Sequence, residues 1–308
     1  MPVPPQYVSE GSDGSVYFGF GGSGTGSELY RLSGASLIQT QPAAPPPGYS
    51  NGSGVFGIAP TSHGVFWFSA YQGSSYYPAI GVECGGSGGT ATLCEPSIDE
   101  PTALVLDASA RLWIGGWLYS GGGEIVTSNG SAGSFSAGIV QLINGPNGTV
   151  WGALQYPNYY SIDKLAVAGS NVQIVQEYQL PAGASVGSFT LGGDGAFWFV
   201  DNQHDAIGRM TTTGSVREFP LTTPNALGQS WYGLWQIATA CDGAVWFSEP
   251  QANKIGRIDG SGTINEFAVA AGSLPNAVTA RPPAGRGCVA PEVWVGEQQA
   301  GKLAAISF

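Results

Sequence analysis

Apolar residues along this chain come in short runs, each cut off by a polar turn, and one of these runs recurs. Residues 243 to 269 read GAVWFSEPQANKIGRIDGSGTINEFAV, and residues 195 to 219 read GAFWFVDNQHDAIGRMTTTGSVREF. Both hold an apolar-aromatic-aromatic core, then Ile-Gly-Arg, then a Gly turn and Glu-Phe. With the central aromatic as landmark, the pattern falls at Tyr17, Trp67, Trp113, Trp151, Trp198, Trp246 and Trp294, spaced 38 to 50 residues apart. The residue ahead of each landmark is apolar. Most are preceded by a pair such as Asp13-Gly14, His63-Gly64, Asn147-Gly148, Asp194-Gly195 or Asp242-Gly243. Such pairs tolerate positive φ and close tight hairpins. A periodicity of this length is the mark of a repeat architecture.

Each repeat holds runs for four short antiparallel strands, as Glu28 to Leu32, Lys254 to Ile258 and Thr263 to Phe267 illustrate. Four strands per repeat is the signature of a propeller blade. The pattern predicts an all-β, seven-bladed β-propeller of four-stranded antiparallel blades, one domain over residues 1–308. No stretch keeps the helical period, so no long helix is expected. The Gly/Ser-rich pieces at 19 to 27, 85 to 92 and 120 to 138 are expected at loops and turns inside blades rather than at linkers.

Composition narrows the function classes. The net charge of −11 has the wrong sign for nucleic acid or an anionic membrane surface. No apolar run is long enough to span a bilayer. Four cysteines stand in paired positions. Cys84 ends the third strand of blade 2 and Cys94 lies on its fourth. Cys241 and Cys288 precede the landmark strands of blades 6 and 7, where the insertion RPPAGRGC gives reach. Two disulfides and an oxidising compartment, secreted or cell-surface, are expected; four buried free thiols are the alternative. The opening MPVPPQYV carries no signal peptide, and a start that replaces one is expected. The sequons at Asn51, Asn129 and Asn147 are placed in turns.

The Trp-Phe-(Ser/Thr)-Glu, Asn-Lys-Ile-Gly-Arg-Ile and Glu-Phe elements, tightest in blade 6 and then blade 5, resemble the virginiamycin B (streptogramin B) lyase family. That resemblance implies a seven-bladed propeller and a metal-assisted elimination opening a cyclic depsipeptide ester. It implies a His general base and carboxylates for Mg²⁺. Where the family has its base after Glu-Pro, blade 7 reads Leu274-Pro275-Asn276. Trp235 stands where blade 6 of the family has a His, and Gln6 where blade 1 has a Tyr. The metal carboxylate would fall at Gln298, with Glu297 beside it. Base and metal ligands are thus expected to be missing, with no catalytic residue, metal or cofactor assigned.

The two histidines do not replace them. His63 sits in a turn of blade 2, on the opposite face. His204 lies in Asp201-Asn202-Gln203-His204-Asp205, where Asp201, His204 and Asp205 could reach a metal but the composition reads as a solvated polar loop. Glu249 and Glu297 end landmark strands, where the repeat carries Glu irrespective of chemistry. GFGGSG at 19 to 24 lacks the following helix that a phosphate fingerprint needs. GASVG at 183 to 187 lacks the strand-to-helix elbow of a serine nucleophile.

The starts of the innermost strands and the second-to-third-strand loops open on one face. The former supply Gln6, Phe56, Thr102, Val140, Gly187, Trp235 and Asn276, a ring without charge. The latter add Tyr71, Tyr76, Tyr77, Trp117, Tyr119, Tyr156, Tyr159 and Tyr160, and the connection into blade 6 adds Trp231 and Tyr232. Flat apolar rings with polar edges suit a glycan, a peptide or a partner protein; shielding of blade edges is the alternative use. The chain closes on KLAAISF, a third strand, and Met1 to Pro5 hold three prolines, so blade 7 is expected to be open at its edge, a surface for self-assembly. Two readings follow: a secreted, non-catalytic propeller that binds a ligand or partner, or a divergent metal-dependent lyase with relocated catalytic groups.

Overall fold

The computed structural model describes residues 5–10, 15–20, 28–33, 36–40, 49–61, 64–73, 79–85, 92–98, 100–117, 122–128, 130–228, 236–281, 292–297, 299 and 301–307; between residues 49 and 98 it describes backbone, with Ile58 the one placed side chain. The chain is all-β. Unit 1 comprises β1 (Pro5–Glu10), β2 (Val16–Phe20), β3 (Glu28–Ser33) and β4 (Ser36–Thr40). Unit 2 comprises β5 (Tyr49–Thr61), β6 (Gly64–Gly73), β7 (Ala79–Gly85) and β8 (Thr92–Ile98). Unit 3 follows with β9 (Glu100–Leu106), β10 (Leu112–Trp117), β11 (Gly123–Thr127) and β12 (Ala132–Phe135). Unit 4 holds β13 (Gly138–Asn144), β14 (Val150–Gln155), β15 (Tyr160–Ala168) and β16 (Asn171–Gln176). Unit 5 holds β17 (Phe189–Leu191), β18 (Phe197–Asp201), β19 (Ala206–Met210) and β20 (Val216–Pro220). Unit 6 holds β21 (Ile237–Thr239), β22 (Val245–Glu249), β23 (Lys254–Ile258) and β24 (Ile264–Ala268), and unit 7 β25 (Pro275–Arg281), β26 (Glu292–Glu297) and β27 (Lys302–Ser307).

Within every unit the strands pair antiparallel in sequence order, and units 3 and 4 also join through one parallel bridge, Ala132 to Asn171. Unit 7 has three strands among the described residues, the others four. The first strand of each unit touches the first strand of the next, and β25 returns to β1, so the inner strands form a ring. The apolar core lies between neighbouring units. Trp113 and Ile125 pack with Ile139 and Leu154 across units 3 and 4. Trp198 and Val200 pack with Val245 and Phe247 across units 5 and 6. Val8 and Phe18 meet Ala277 and Trp294, which closes unit 7 on unit 1.

The recurring motif is explained by this packing. All seven landmarks lie on second strands. Trp198 is opposite Arg209 and Trp246 opposite Arg257. Arg209 Nε reaches Asp194 Oδ2 at 2.7 Å, and Arg257 Nη2 reaches Asp242 Oδ2 at 2.8 Å. The same guanidinium groups lie 5.7 and 5.9 Å from the Trp198 and Trp246 ring centres. Gly208 and Gly256 lie under the rings of Phe199 and Phe247, where a Cβ would sit 2.0 Å from a ring carbon. Ile-Gly-Arg therefore serves core, ring clearance and the turn carboxylate in that order.

Three expectations need correction. The Gly/Ser-rich segment 120 to 138 holds two strands, β11 and β12, because the alternating burial of Gly-Glu-Ile-Val-Thr suffices for a strand. Its small residues let β12 approach unit 4: a Cβ on Gly133 would lie 2.2 Å from the Val172 carbonyl oxygen. Asn51 lies on β5, opposite Tyr71, rather than in a turn. Phe56 lies inside β5 rather than at its start, since β5 begins at Tyr49. Asn147 does sit in a turn, at φ 59; Asn129 is outside the described residues.

Cys241, in the turn ahead of β22, is disulfide-bonded. Cys288 and the 282–291 insertion lie outside the described residues. Cys84 and Cys94 are placed on adjacent strands β7 and β8, with Cys84 opposite Thr92.

Candidate functional site

The inner strands share a deformation at the positions the sequence singled out. In β1 the pairing passes from Pro5–Phe20 to Tyr7–Gly19 and leaves Gln6 over. In β9 it passes from Pro101–Gly116 to Ala103–Gly115 and leaves Thr102. Val140 is left over in β13 and Asn276 in β25, and Phe56 falls in the irregular stretch of β5 between Val55 and Ile58. Each extra residue is a β-bulge, which bends the strand and re-aims a side chain. In unit 5, Gly187 donates its N–H to the Val200 carbonyl just before β17. Trp235, Trp231 and Tyr232 lie outside the described residues.

The bulges are also where neighbouring units are stitched. The Thr102 hydroxyl donates to the Ile139 carbonyl of unit 4. Gln141, next to Val140, accepts the Phe189 N–H at 2.7 Å and the Ser188 hydroxyl at 3.1 Å from unit 5. Gln236 repeats the device toward unit 7, accepting the Val278 N–H at 3.1 Å. The Asn276 carbonyl accepts the Gln236 N–H and the Ser248 hydroxyl, each at 3.2 Å. The Asn276 side chain is different. It is 3% exposed, and neither its amide nitrogen nor its amide oxygen has a hydrogen-bond partner. Ser273, just upstream, also keeps a buried, unpartnered hydroxyl. Buried polar atoms left unpaired are costly, and in a native structure they ask for a ligand or water.

The aromatic residues divide. Trp117 is half-buried, and its indole covers Gly138 of unit 4, where a Cβ would lie 2.3 Å from the ring. Tyr156 and Tyr159 stack across the β14–β15 turn with centroids 4.4 Å apart. The Tyr159 hydroxyl donates to Glu177 Oε1 at 3.1 Å. Burial first, then Asp163 and Glu177, raise the Tyr156 pKa; burial and Glu177 raise that of Tyr159, and burial and Asp201 that of Tyr160. These phenols stay neutral donors. Tyr71 is placed by backbone in β6; Tyr76, Tyr77 and Tyr119 lie outside the described residues.

Buried carboxyl groups form the part that composition did not reveal. Asp201, Glu249 and Glu297 end the second strands of units 5, 6 and 7, exposed by 0%, 0% and 7%. Glu249 has both oxygens unpartnered, and burial, reinforced by Glu266, pushes its pKa up to about 8. Burial pushes Asp163 up to about 7 against the hydrogen bond from Ser161. Asp205 turns away from the Asp201 loop and accepts the Ala226 and Leu227 N–H groups at 3.3 and 3.1 Å. Glu218 of β20 stands beside His204 instead. This loop buries Asp201 and leaves Gln203 and His204 exposed. Its grouping of Asp201, His204 and Glu218 was legible only by aligning Glu218 with Glu266 in the next repeat.

The sequence model of the virginiamycin B lyase family matches residues 49–308. The chain belongs to that family. No curated protein matches it. A structure of catalytically inactive virginiamycin B lyase from Staphylococcus aureus with quinupristin aligns over 100% of this chain and 96% of its own, at 18% identity and a TM-score of 0.71. A streptogramin B lyase aligns over 82% of each chain at 24% identity and a TM-score of 0.61. The periplasmic gluconolactonase PpgL of Pseudomonas aeruginosa aligns over 97% of this chain and 94% of its own, at 13% identity and a TM-score of 0.55. At these identities the likeness is one of fold.

The family resemblance implies Mg²⁺, and the described residues at the bulged end of unit 7 offer it few ligands. The Leu274 side chain offers no oxygen, Asn276 offers a neutral amide, and Glu297 is the one carboxylate among the described residues at the bulged end of β25, Glu292 standing at the far end of β26. Mg²⁺ is usually held by one or two carboxylates with water completing its octahedron, and this end of the unit meets the lower end of that range. Gln298 lies outside the described residues.

Proposed function

We propose that this chain is a non-catalytic, extracytoplasmic member of the virginiamycin B lyase family. In this reading, residues 1–308 form one seven-bladed propeller that binds a neutral glycan or peptide over the bulged ends of its inner strands. The observation that carries the reading is Asn276. A carboxamide does not accept a proton near neutral pH, so it cannot serve as the base of an elimination. It does offer one acceptor and two donors, and here all are buried and unused. Such a group suits the amide of a peptide or the hydroxyl of a sugar. The neutral phenols of Tyr156, Tyr159 and Tyr160 and the half-buried ring of Trp117 add flat, polar-edged surface.

The disulfide-bonded Cys241 and the periplasmic setting named for one structural neighbour support the extracytoplasmic placement. Pairings Cys241–Cys288 and Cys84–Cys94 complete that proposal, and the edge of β27 offers a surface for self-assembly. The cluster of Asp201, His204 and Glu218 favours a second reading, a lyase with relocated groups, but it stands on unit 5 and not beside Asn276.

The test is binding of immobilised oligosaccharides and peptides to the wild type and to Asn276→Leu, which keeps volume and removes the amide. At least one ligand should bind, and the variant should weaken it by about 1–3 kcal/mol, the cost of stranding a buried partner. Ligands that bind both proteins equally would refute the site.

A further inference from the structure

We propose that Asp201, His204 and Glu218 form a site for a borderline divalent cation such as Zn²⁺ on unit 5, separate from the family's catalytic position on unit 7. The three side chains offer one imidazole nitrogen and two carboxylates, with ligand atoms all within 4.8 Å of one another. His204 Nδ1 is 3.0 Å from Asp201 Oδ2 and 3.3 Å from Glu218 Oε2. Tetrahedral Zn²⁺ with bonds of about 2.0–2.1 Å separates its ligands by roughly 3.3 Å, so the spacing fits.

A second observation points to a ligand. Asp201 is fully buried, and its two oxygens are used differently. Oδ1 accepts the Ser185 N–H, the Ser185 hydroxyl and the Gln203 N–H, each at 3.0 Å, and the His204 N–H at 3.3 Å. Those four donors fix the carboxylate plane. Oδ2 takes none of these donors, and its near neighbour is His204 Nδ1 at 3.0 Å, so it is aimed at the cluster. The loop thus holds a buried anionic oxygen with its lone pairs presented to the His204 ring.

The next repeat shows what unit 5 lacks. In unit 6 the positions of Asp201, His204 and Glu218 are Glu249, Ala252 and Glu266, and Lys254 Nζ closes on Glu266 Oε2 at 2.7 Å. Unit 5 has Ala206 in place of that lysine, so two carboxylates face each other with His204 between them. A neutral imidazole has one N–H and can serve only one of them. A divalent cation neutralises both and takes the Nδ1 lone pair, and imidazole in the set favours Zn²⁺ over Mg²⁺ or Ca²⁺. The His204 side chain is 36% exposed, which leaves room for water as the fourth ligand.

Isothermal titration of the chelator-stripped protein with ZnCl₂ alone, near neutral pH, tests this. One ion per chain is expected, with affinity reduced at least about tenfold in His204→Ala and also in Glu218→Gln. His204→Ala keeps the backbone N–H that Asp201 accepts, and Glu218→Gln keeps the fold if the first does not. No Zn²⁺ bound by the wild type would overturn the proposal and leave His204 as a protonated substitute for the missing lysine. Equal binding by the wild type and both folded variants would overturn it too.

Discussion

At the scale of single residues, the sequence shows which side chains are unusual but not how they are held. Asn276, at the position that the family resemblance gives to the base, is visible in one line of sequence. That its amide is buried without partners is not, because that depends on a bulge set by pairing with Glu297 and Gly296. Glu249 was legible only as a repeat position, yet burial gives it a pKa of about 8. A carboxyl raised in the folded state costs nothing below pH 4.5, its ordinary value, where both states are protonated. Between there and pH 8 the folded state holds the proton that the unfolded state has released, so stability falls as pH rises. Glu249→Gln should remove that slope. Relative to wild type it should gain on the order of 3–5 kcal/mol between pH 4.5 and pH 9 in urea unfolding. Parallel pH profiles of the two proteins would show the carboxyl to be solvated.

At the scale of elements, the second and third strands were the most legible part of the chain. Their landmark aromatics, turn pairs and Ile-Gly-Arg runs predict β18, β19, β22 and β23. The least legible were β11 and β12, where Gly and Ser suit both a loop and an edge strand pressed against its neighbour. The β5 strand extends beyond expectation for a related reason: its Gly, Ser and Asn residues carry turn chemistry, while Tyr49 pairs with Gly73 across the hairpin. The motif glycines give a direct check. Gly208→Ala would bring a methyl group to 2.0 Å from the Phe199 ring. The change should cost about 1–3 kcal/mol, as overpacking does, seen as a lowered midpoint in thermal or urea melts. An unchanged midpoint would mean that Phe199 moves freely, contrary to its burial in the core between units 4 and 5.

For the whole molecule, seven repeats in a ring follow from periodicity, because each unit buries its apolar face only against the next. Which residues would meet at the centre could be listed from the sequence; the hydrogen bonds that stitch them, through Gln141 and Gln236, required the register. Oxidation of all four cysteines is a second global expectation. A denatured, unreduced sample should show no titratable thiol, and four free thiols would refute both pairings. The central claim is that this family member has kept the fold and lost the elimination. Incubating purified protein with quinupristin and Mg²⁺, with mass spectrometry of the product, tests it most directly. The account predicts that the cyclic ester stays intact at the rate of buffer alone; linear product that accumulates in proportion to protein concentration would contradict it.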